Sequence, residues 1–252
     1  MSDTQITILT AEALQEALPA ITWFVQSISP LALSRHPHWL RVFQKAMQHE
    51  PYAILATRQG SLMGVLPLVH MQHFLFGSRL VSLPYLNTAG CWGDPAVAPL
   101  LVHKAITLAD VLRVKALELR GETSVELPKL VQPQTQKVHM RLPLPRSSEE
   151  LWKAFSPKVR NQVRKAEKAR LTVHWGQLDE LHAFYEIFAR NMRDLGTPVF
   201  GVELFAHILT TFPHQAELCI VRQGTTPIAA GLLLHGTGIT EVPSASSLRE
   251  YN

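Results

Sequence analysis

The 252-residue chain holds 46% hydrophobic and 17% charged residues, with a formal charge of +4. That composition buries a sizeable core and excludes a disordered chain, which needs low hydrophobicity and high net charge. Two cysteines, Cys91 and Cys219, exclude a disulfide scaffold and an all-cysteine metal site, and the apolar runs at Leu62–Val69 and Pro227–Leu234 fall far short of the roughly 20 residues that span a bilayer.

The opening residues carry no basic segment followed by an apolar one, so the expectation is a cytoplasmic protein. Ile6–Leu9 reads as a strand. Ala13, Leu14, Ala17 and Leu18 then show helical spacing, which Pro19 should interrupt. A second helix begins near Pro37 with Trp39, Leu40, Phe43 and Met47 on one side. Tyr52–Thr57 and Leu62–His70 form a strand pair around Arg58-Gln59-Gly60-Ser61. Arg79–Leu83 is a strand, followed by the loop Pro84–Gly90. Pro95–Arg113 is helical, and Lys115–Leu119 and Lys137–Leu142 are strands. Pro143-Leu144-Pro145 is the best linker, which divides the chain into residues 1–145 and 146–252.

The second part opens with capping-box spacing between Ser147 and Glu150, and Ser156-Pro157 restarts a helix with an N-cap and a first-turn proline. Leu171–Trp175 is a strand. Asp179–Leu195 is a long helix with Leu181, Phe184, Tyr185, Phe188, Met192 and Leu195 on one face and Gly196 as C-cap. Val202–Phe212 is a shorter helix, Glu217–Arg222 and Ile228–Leu234 are a second strand pair, and Ile239–Ala245 is a further strand.

An internal repeat emerges. Arg58-Gln59-Gly60 and Arg222-Gln223-Gly224 sit at matched turns 164 residues apart, each after two helices. Strand, two helices, antiparallel strand pair, strand, helix, strand is the order of the acyl-CoA N-acyltransferase (GNAT) fold, which the chain resembles. The expected class is therefore α/β (α+β): two tandem GNAT-like domains with mixed, mainly antiparallel sheets flanked by helices. The second is incomplete, lacking a third helix and closing strands. That absence would leave an unpaired edge and an uncovered apolar face on the sheet Glu217–Ala245.

Charge is concentrated. Lys158, Arg160, Arg164, Lys165, Lys168 and Arg170 face only Glu167, and the rest of the chain is close to neutral. With Trp152, Phe155, Val159, Val163 and Ala166 as a buried stripe, the basic face is either a solvated helix surface or a site for a phosphate-bearing substrate or RNA backbone. No aromatic residues interleave to stack bases, and no DNA partner is expected. Asn191, Arg193 and Thr197 follow as polar residues that the helix cap does not explain, at a connection that borders the acceptor site in GNAT-like units. Glu241 is alone in an otherwise uncharged strand. GNAT folds place there a backbone N–H for the thioester carbonyl and often a carboxylate, so Glu241 is either the general base or an edge-strand surface residue. Ser244, Ser246 and Ser247 lack a nucleophile-activating pattern. His36-Pro37-His38 and His70-Met71-Gln72-His73 lack companion ligands, so no metal is expected. The Gln/Arg-x-x-Gly-x-Gly/Ala loop that cradles acyl-CoA pyrophosphate in ordinary GNAT enzymes is absent; Pro84–Gly90, with Tyr85 and Asn87, takes its place.

Lys158–Ala169, Asn191–Val199 and Glu241–Asn252 resemble the FemAB-like proteins, and more narrowly the branch associated with exosortase/PEP-CTERM and exopolysaccharide systems. Fem transferases pass an amino acid from aminoacyl-tRNA to an amine of a peptidoglycan precursor. The resemblance implies an acyl- or aminoacyltransferase forming an amide on a cell-envelope or exopolysaccharide precursor, with aminoacyl-tRNA or acyl-CoA as donor and no other cofactor. The anionic sugar or peptide precursor, and tRNA, are the expected partners. Alternatives are an acyl-CoA-dependent N-acyltransferase and a non-catalytic binding module in exopolysaccharide assembly. Lys158, Arg160, Arg164, Lys165, Asn191, Arg193, Thr197, Tyr85, Asn87, Ser246 and Arg249 are the substrate-binding candidates, and Glu241 the catalytic one. Ser244 stands where the family pattern has an aromatic residue. Members run roughly a hundred residues further, so the chain reads as truncated.

Overall fold

A computed structural model describes residues 4–28, 32–73, 77–87, 89–121 and 140–251. Strand β1 (Thr4–Thr10) leads into helix α1 (Ala11–Ile28), a short 3-10 turn (Leu33–Arg35) and α2 (Trp39–Met47). Strands β2 (Glu50–Arg58), β3 (Ser61–His73), β4 (Gly77–Val81) and the short β5 (Trp92–Gly93) follow, then α3 (Ala98–Val111) and β6 (Ala116–Glu118). Their sheet runs β1-β2-β3-β4-β6, with β5 also on β3; only the β4–β6 pair is parallel. The β2–β3 turn places Gln59 and Gly60 at positive φ (50° and 77°), the geometry whose twist suits a two-residue hairpin.

Residues 140–147 run without regular structure to α4 (Ser148–Ala154) and α5 (Pro157–Lys168). Then come β7 (Thr172–Gly176), α6 (Leu181–Asp194), α7 (Val202–Thr211), β8 (Ala216–Gln223), β9 (Thr226–His235) and β10 (Thr240–Ser247), ending in a 3-10 turn at Arg249–Tyr251. The second sheet is antiparallel throughout, in the order β10-β9-β8-β7. Strand, two helices and a three-strand meander thus occur twice in the same order.

Strand alternation divides the core. Tyr52, Ile54, Ala56, Leu66 and Leu68 face Leu101, Val102 and Ala105 of α3. Ala53, Val65 and Val69 join the other cluster, in which Leu14, Leu18, Trp39 and Phe43 of α1 and α2 share one apolar mass with Phe184, Phe188 and Phe205 of α6 and α7 and with Leu218 and Leu232 of the second sheet. Among the described residues, the reverse face of that second sheet is exposed at β7. Val173 and Trp175 lie opposite Val221 and Cys219 on it, and each is more than half exposed.

Four expectations change. Helix α1 passes through Pro19, because Leu14, Leu18, Ile21 and Val25 form one buried stripe whose burial outweighs the roughly 3 kcal/mol cost of an interior proline. The stripe proposed for the basic helix is not buried: Val159 and Val163 are exposed, and Trp152, Phe155 and Ala166 are half-buried. Leu195 is exposed because the helix has already ended at its C-cap. Of the strand expected at Lys137–Leu142, residues 137–139 lie outside the described residues, and Met140–Leu142 are exposed without strand pairing.

Candidate active site

Helices α2 and α7, the loop after β4 and strand β10 line a small cleft. Its floor is buried: Trp39 and Phe43 come from α2, and Leu204, Phe205 and Ile208 from α7. The rim is half-buried and formed by Tyr85, Phe200, Pro243 and Ser244. The helices supply the floor because their apolar faces are those already committed to the shared core. The rim exists because β10 slips register against β9 between Glu241 and Ser244, a bulge that brings Pro243 and Ser244 to the cleft. None of the lining residues carries a charge.

Tyr85 has a left-handed backbone (φ 67°), as does Leu83 (φ 45°), conformations that are costly for large side chains and that persist where the surroundings over-determine them. Its ring packs edge-on against Phe43 and Phe200, and its hydroxyl lies 3.0 Å from His49 Nε2. Burial lowers the His49 pKa, with His70 adding to the effect, and burial raises that of Tyr85. Both groups are therefore neutral at pH 7. Which of them holds the shared proton depends on the imidazole tautomer.

Glu241 is half-buried and tied to the first half of the chain. Its Oε2 accepts the Ser34 backbone N–H at 3.0 Å, and its Oε1 accepts the Ser34 hydroxyl at 2.8 Å. Ser34 is buried in the 3-10 turn before α2. Beside this tie, His36 packs edge-on against Phe212, and its pKa is lowered to about 4 by burial and then by His38.

The two later motifs meet each other. Asn191 Nδ2 donates to Ser246 Oγ at 3.2 Å, and Arg249 donates to the Asp194 carbonyl at 2.6 Å at the C-terminus of α6. The Thr197 backbone N–H closes the same helix end on the Met192 carbonyl, with Gly196 at φ 67°. Arg193 is exposed and 3.4 Å from Asp194 Oδ1, and Asn87 is exposed on its loop. Tyr85 thus shares the cleft with Ser244, and Asn191, Ser246 and Arg249 share one helix end.

The basic helix stands apart. No residue of α5 is buried; Arg164 lies over the Trp152 ring (5.4 Å), and Arg160 donates to the Lys153 carbonyl at 3.4 Å. Among the described residues no hydrogen bond links Lys158, Arg160, Arg164 or Lys165 to the cleft. Ser156 caps α5 at Val159 and Ser147 caps α4 at Glu150, as their spacing predicts. Ser34 and His49 were not singled out by sequence: a serine between Leu33 and Arg35 and a histidine beside Glu50 fit no motif. Among the described residues no group of three or more His, Cys, Asp or Glu could hold a metal ion, and no helix is long and apolar enough to cross a membrane.

The FemAB family model matches residues 99–224. In fold the chain is similar to the crystal structure of FemX, at 14% identity and a TM-score of 0.58, over 97% of this chain and 81% of that one. The C-terminal (DUF2156) domain of a putative lysylphosphatidylglycerol synthetase from Agrobacterium fabrum aligns over 92% of this chain and 70% of its own, at 10% identity and a TM-score of 0.49. A GNAT family acetyltransferase from Staphylococcus aureus aligns over its whole length with 56% of this chain, at 12% identity and a TM-score of 0.36. No curated protein sequence matches. The fold is of the mixed α/β, GNAT-like kind, with antiparallel-rich sheets flanked by helices.

Proposed function

The chain belongs to the FemAB family, whose model covers half of it, and from that membership we propose an acyl- or aminoacyltransferase that forms an amide on a cell-envelope precursor. The observation that carries this reading is the neutral cleft between the two halves, rimmed by the bulge of β10 two residues beyond Glu241. An acceptor amine there attacks the donor carbonyl carbon. The C–N bond forms, the ester or thioester bond to the carrier breaks, and the carrier leaves with a proton. Glu241, or a water on it, takes the proton from the amine. A carboxylate has about four acceptor positions, so the two bonds from Ser34 orient it and leave others for the substrate.

The remaining candidates divide by place. Lys158, Arg160, Arg164 and Lys165 on the exposed α5 hold phosphate groups of the precursor or of tRNA. Tyr85 and Asn87 approach the substrate from the first half. Asn191 and Ser246, with Arg249 on the α6 end, hold β10 against α6, and Arg193 and Thr197 extend that edge. At the finer level we assign the precursor to exopolysaccharide assembly, supported by the three motifs that resemble that branch.

Charge reversal at Arg164 and Lys165 tests the anion site. With bulk tRNA and a nucleotide-linked sugar precursor as probes, affinity falls at least tenfold, and the dependence of log K on log salt becomes shallower by about 2 for tRNA. Unchanged affinity with no salt dependence would remove the site.

A further inference from the structure

We propose that the exposed face of the second sheet docks an amphipathic α-helix of a protein partner, with an aliphatic stripe on β7 and β8 and an acidic first turn beside the last cations of α5. The inference is independent of the transferase reading, because this face lies on the side of the sheet away from α6, α7 and the cleft.

The first sheet shows what such a face takes. Its hairpin pairs Arg58 with Ser61, slips register, and then pairs Ala56 with Gly64. The second hairpin pairs Gln223 with Thr226, slips at the same step, and then pairs Val221 with Ala229. Matched on turn and bulge, Ile54 and Ala56 correspond to Cys219 and Val221. On the edge strands, Ile6 and Ile8 correspond to Val173 and Trp175. In the first sheet these residues lie under α3: Ile54 and Ala56 are fully buried, and Ile6 and Ile8 half-buried. In the second, Val173 and Trp175 are 54% and 55% exposed, and Cys219 and Val221 are half-buried. Sheets bury an apolar face under a second layer, and an apolar patch left at a surface marks an interaction site.

Helix α3 also supplies a direction. Its start meets the hairpin end of the first sheet, where a Cβ on Gly64 would stand 2.6 Å from Val97 and 3.2 Å from Leu101. Its far end leads to Lys115, whose backbone N–H donates to the Ser78 carbonyl at the opposite end of that sheet. A helix placed the same way on the second sheet starts beside Ala229 and Val173, where α5 runs into β7 and Lys168 and Arg170 are exposed. It ends towards Glu217, whose carboxylate lies 2.8 Å from His235 Nε2. Cations at one end and a carboxylate at the other select a helix with Asp or Glu in its first turn and Lys or Arg in its last. The helix dipole favours the same arrangement, so both effects choose one polarity of partner.

Fluorescence anisotropy with the whole chain tests the proposal. The probes are two labelled peptides with the sequence of residues 95–113, which spans α3. One carries Ala96→Glu, Pro99→Glu and Leu100→Glu, and the other Lys at the same three exposed positions. The Glu peptide should bind saturably and about tenfold more tightly than the Lys peptide at low salt, with the gap narrowing as salt rises. Trp175→Glu should weaken the Glu peptide about tenfold or more, and Val173→Asp is the second variant should the first fold poorly. Lys168→Glu combined with Arg170→Glu should reverse the preference between the peptides. No saturable binding of the Glu peptide, equal binding of both peptides, or affinity unchanged in both face variants would overturn the proposal. A Trp175-dependent dimer in sedimentation equilibrium would also overturn it, assigning the face to a second copy. So would Trp175-dependent binding to phosphatidylglycerol vesicles, which assigns the face to a lipid surface.

Discussion

Ser34 and Glu241 are 207 positions apart in sequence, and the two hydrogen bonds between them join the turn before α2 to the strand that rims the cleft. Ser34→Ala removes the hydroxyl bond to the carboxylate and should lower stability by about 1.5–3 kcal/mol in chemical denaturation, with only a modest loss of turnover because the backbone N–H of residue 34 still holds Oε2. Glu241→Gln should instead lower turnover about a hundredfold or more, the usual scale for a lost general base. Equal turnover in Glu241→Gln and the parent across pH would leave the carboxylate a tie alone. His36 makes a separate prediction. Its folded pKa of about 4 lies below the unfolded 6.5, so above pH 6.5 both states are neutral and it contributes no pH dependence. As pH falls from 6.5 towards 4 the unfolded chain binds the proton first, and stability declines by an amount of order 2 kcal/mol, allowing for partial exposure of the ring. Denaturation curves at steps of pH should show this loss, and His36→Gln should flatten it.

Among the elements, those legible in sequence are the ones set by local rules. Ser147 and Ser156 cap α4 and α5 at the spacing read from them, Gly196 ends α6, and both hairpins turn at their glycines. Where long-range packing decides, local rules mislead. Pro19 reads as a break, yet α1 continues because Ile21, Phe24 and Val25 complete a buried stripe. Pro19→Ala should therefore raise stability by about 1–3 kcal/mol, as a higher melting temperature, by restoring a backbone donor and relieving the ring clash. An unchanged or lower melting temperature would mean that the packing requires the proline bend. The apolar spacing on α5 is also present in sequence, but spacing shows only that a face exists and not that anything covers it.

For the molecule as a whole, the formal charge of +4 resolves into one exposed basic helix on a nearly neutral body, and the neutral part contains the cleft. We read the halves on either side of residue 145 as two copies of one unit; their inner helices share a core in which Trp39 of the first packs 5.2 Å from Phe212 of the second. This sharing explains why the family was legible but the cleft was not. The turns and motifs are contiguous in sequence, whereas the cleft is assembled from α2 and the Tyr85 loop of one half and α7 and the β10 bulge of the other. His49 and Ser34 acquire their roles only through such distant partners. The central claim is amide formation, and mass spectrometry of an amine-bearing, nucleotide-linked precursor incubated with the chain and either aminoacyl-tRNA or acyl-CoA tests it most directly. The account predicts a donor-dependent mass gain on the precursor equal to the acyl group replacing one amine hydrogen. An unchanged precursor mass with both donors, under conditions where the precursor is bound, would contradict it.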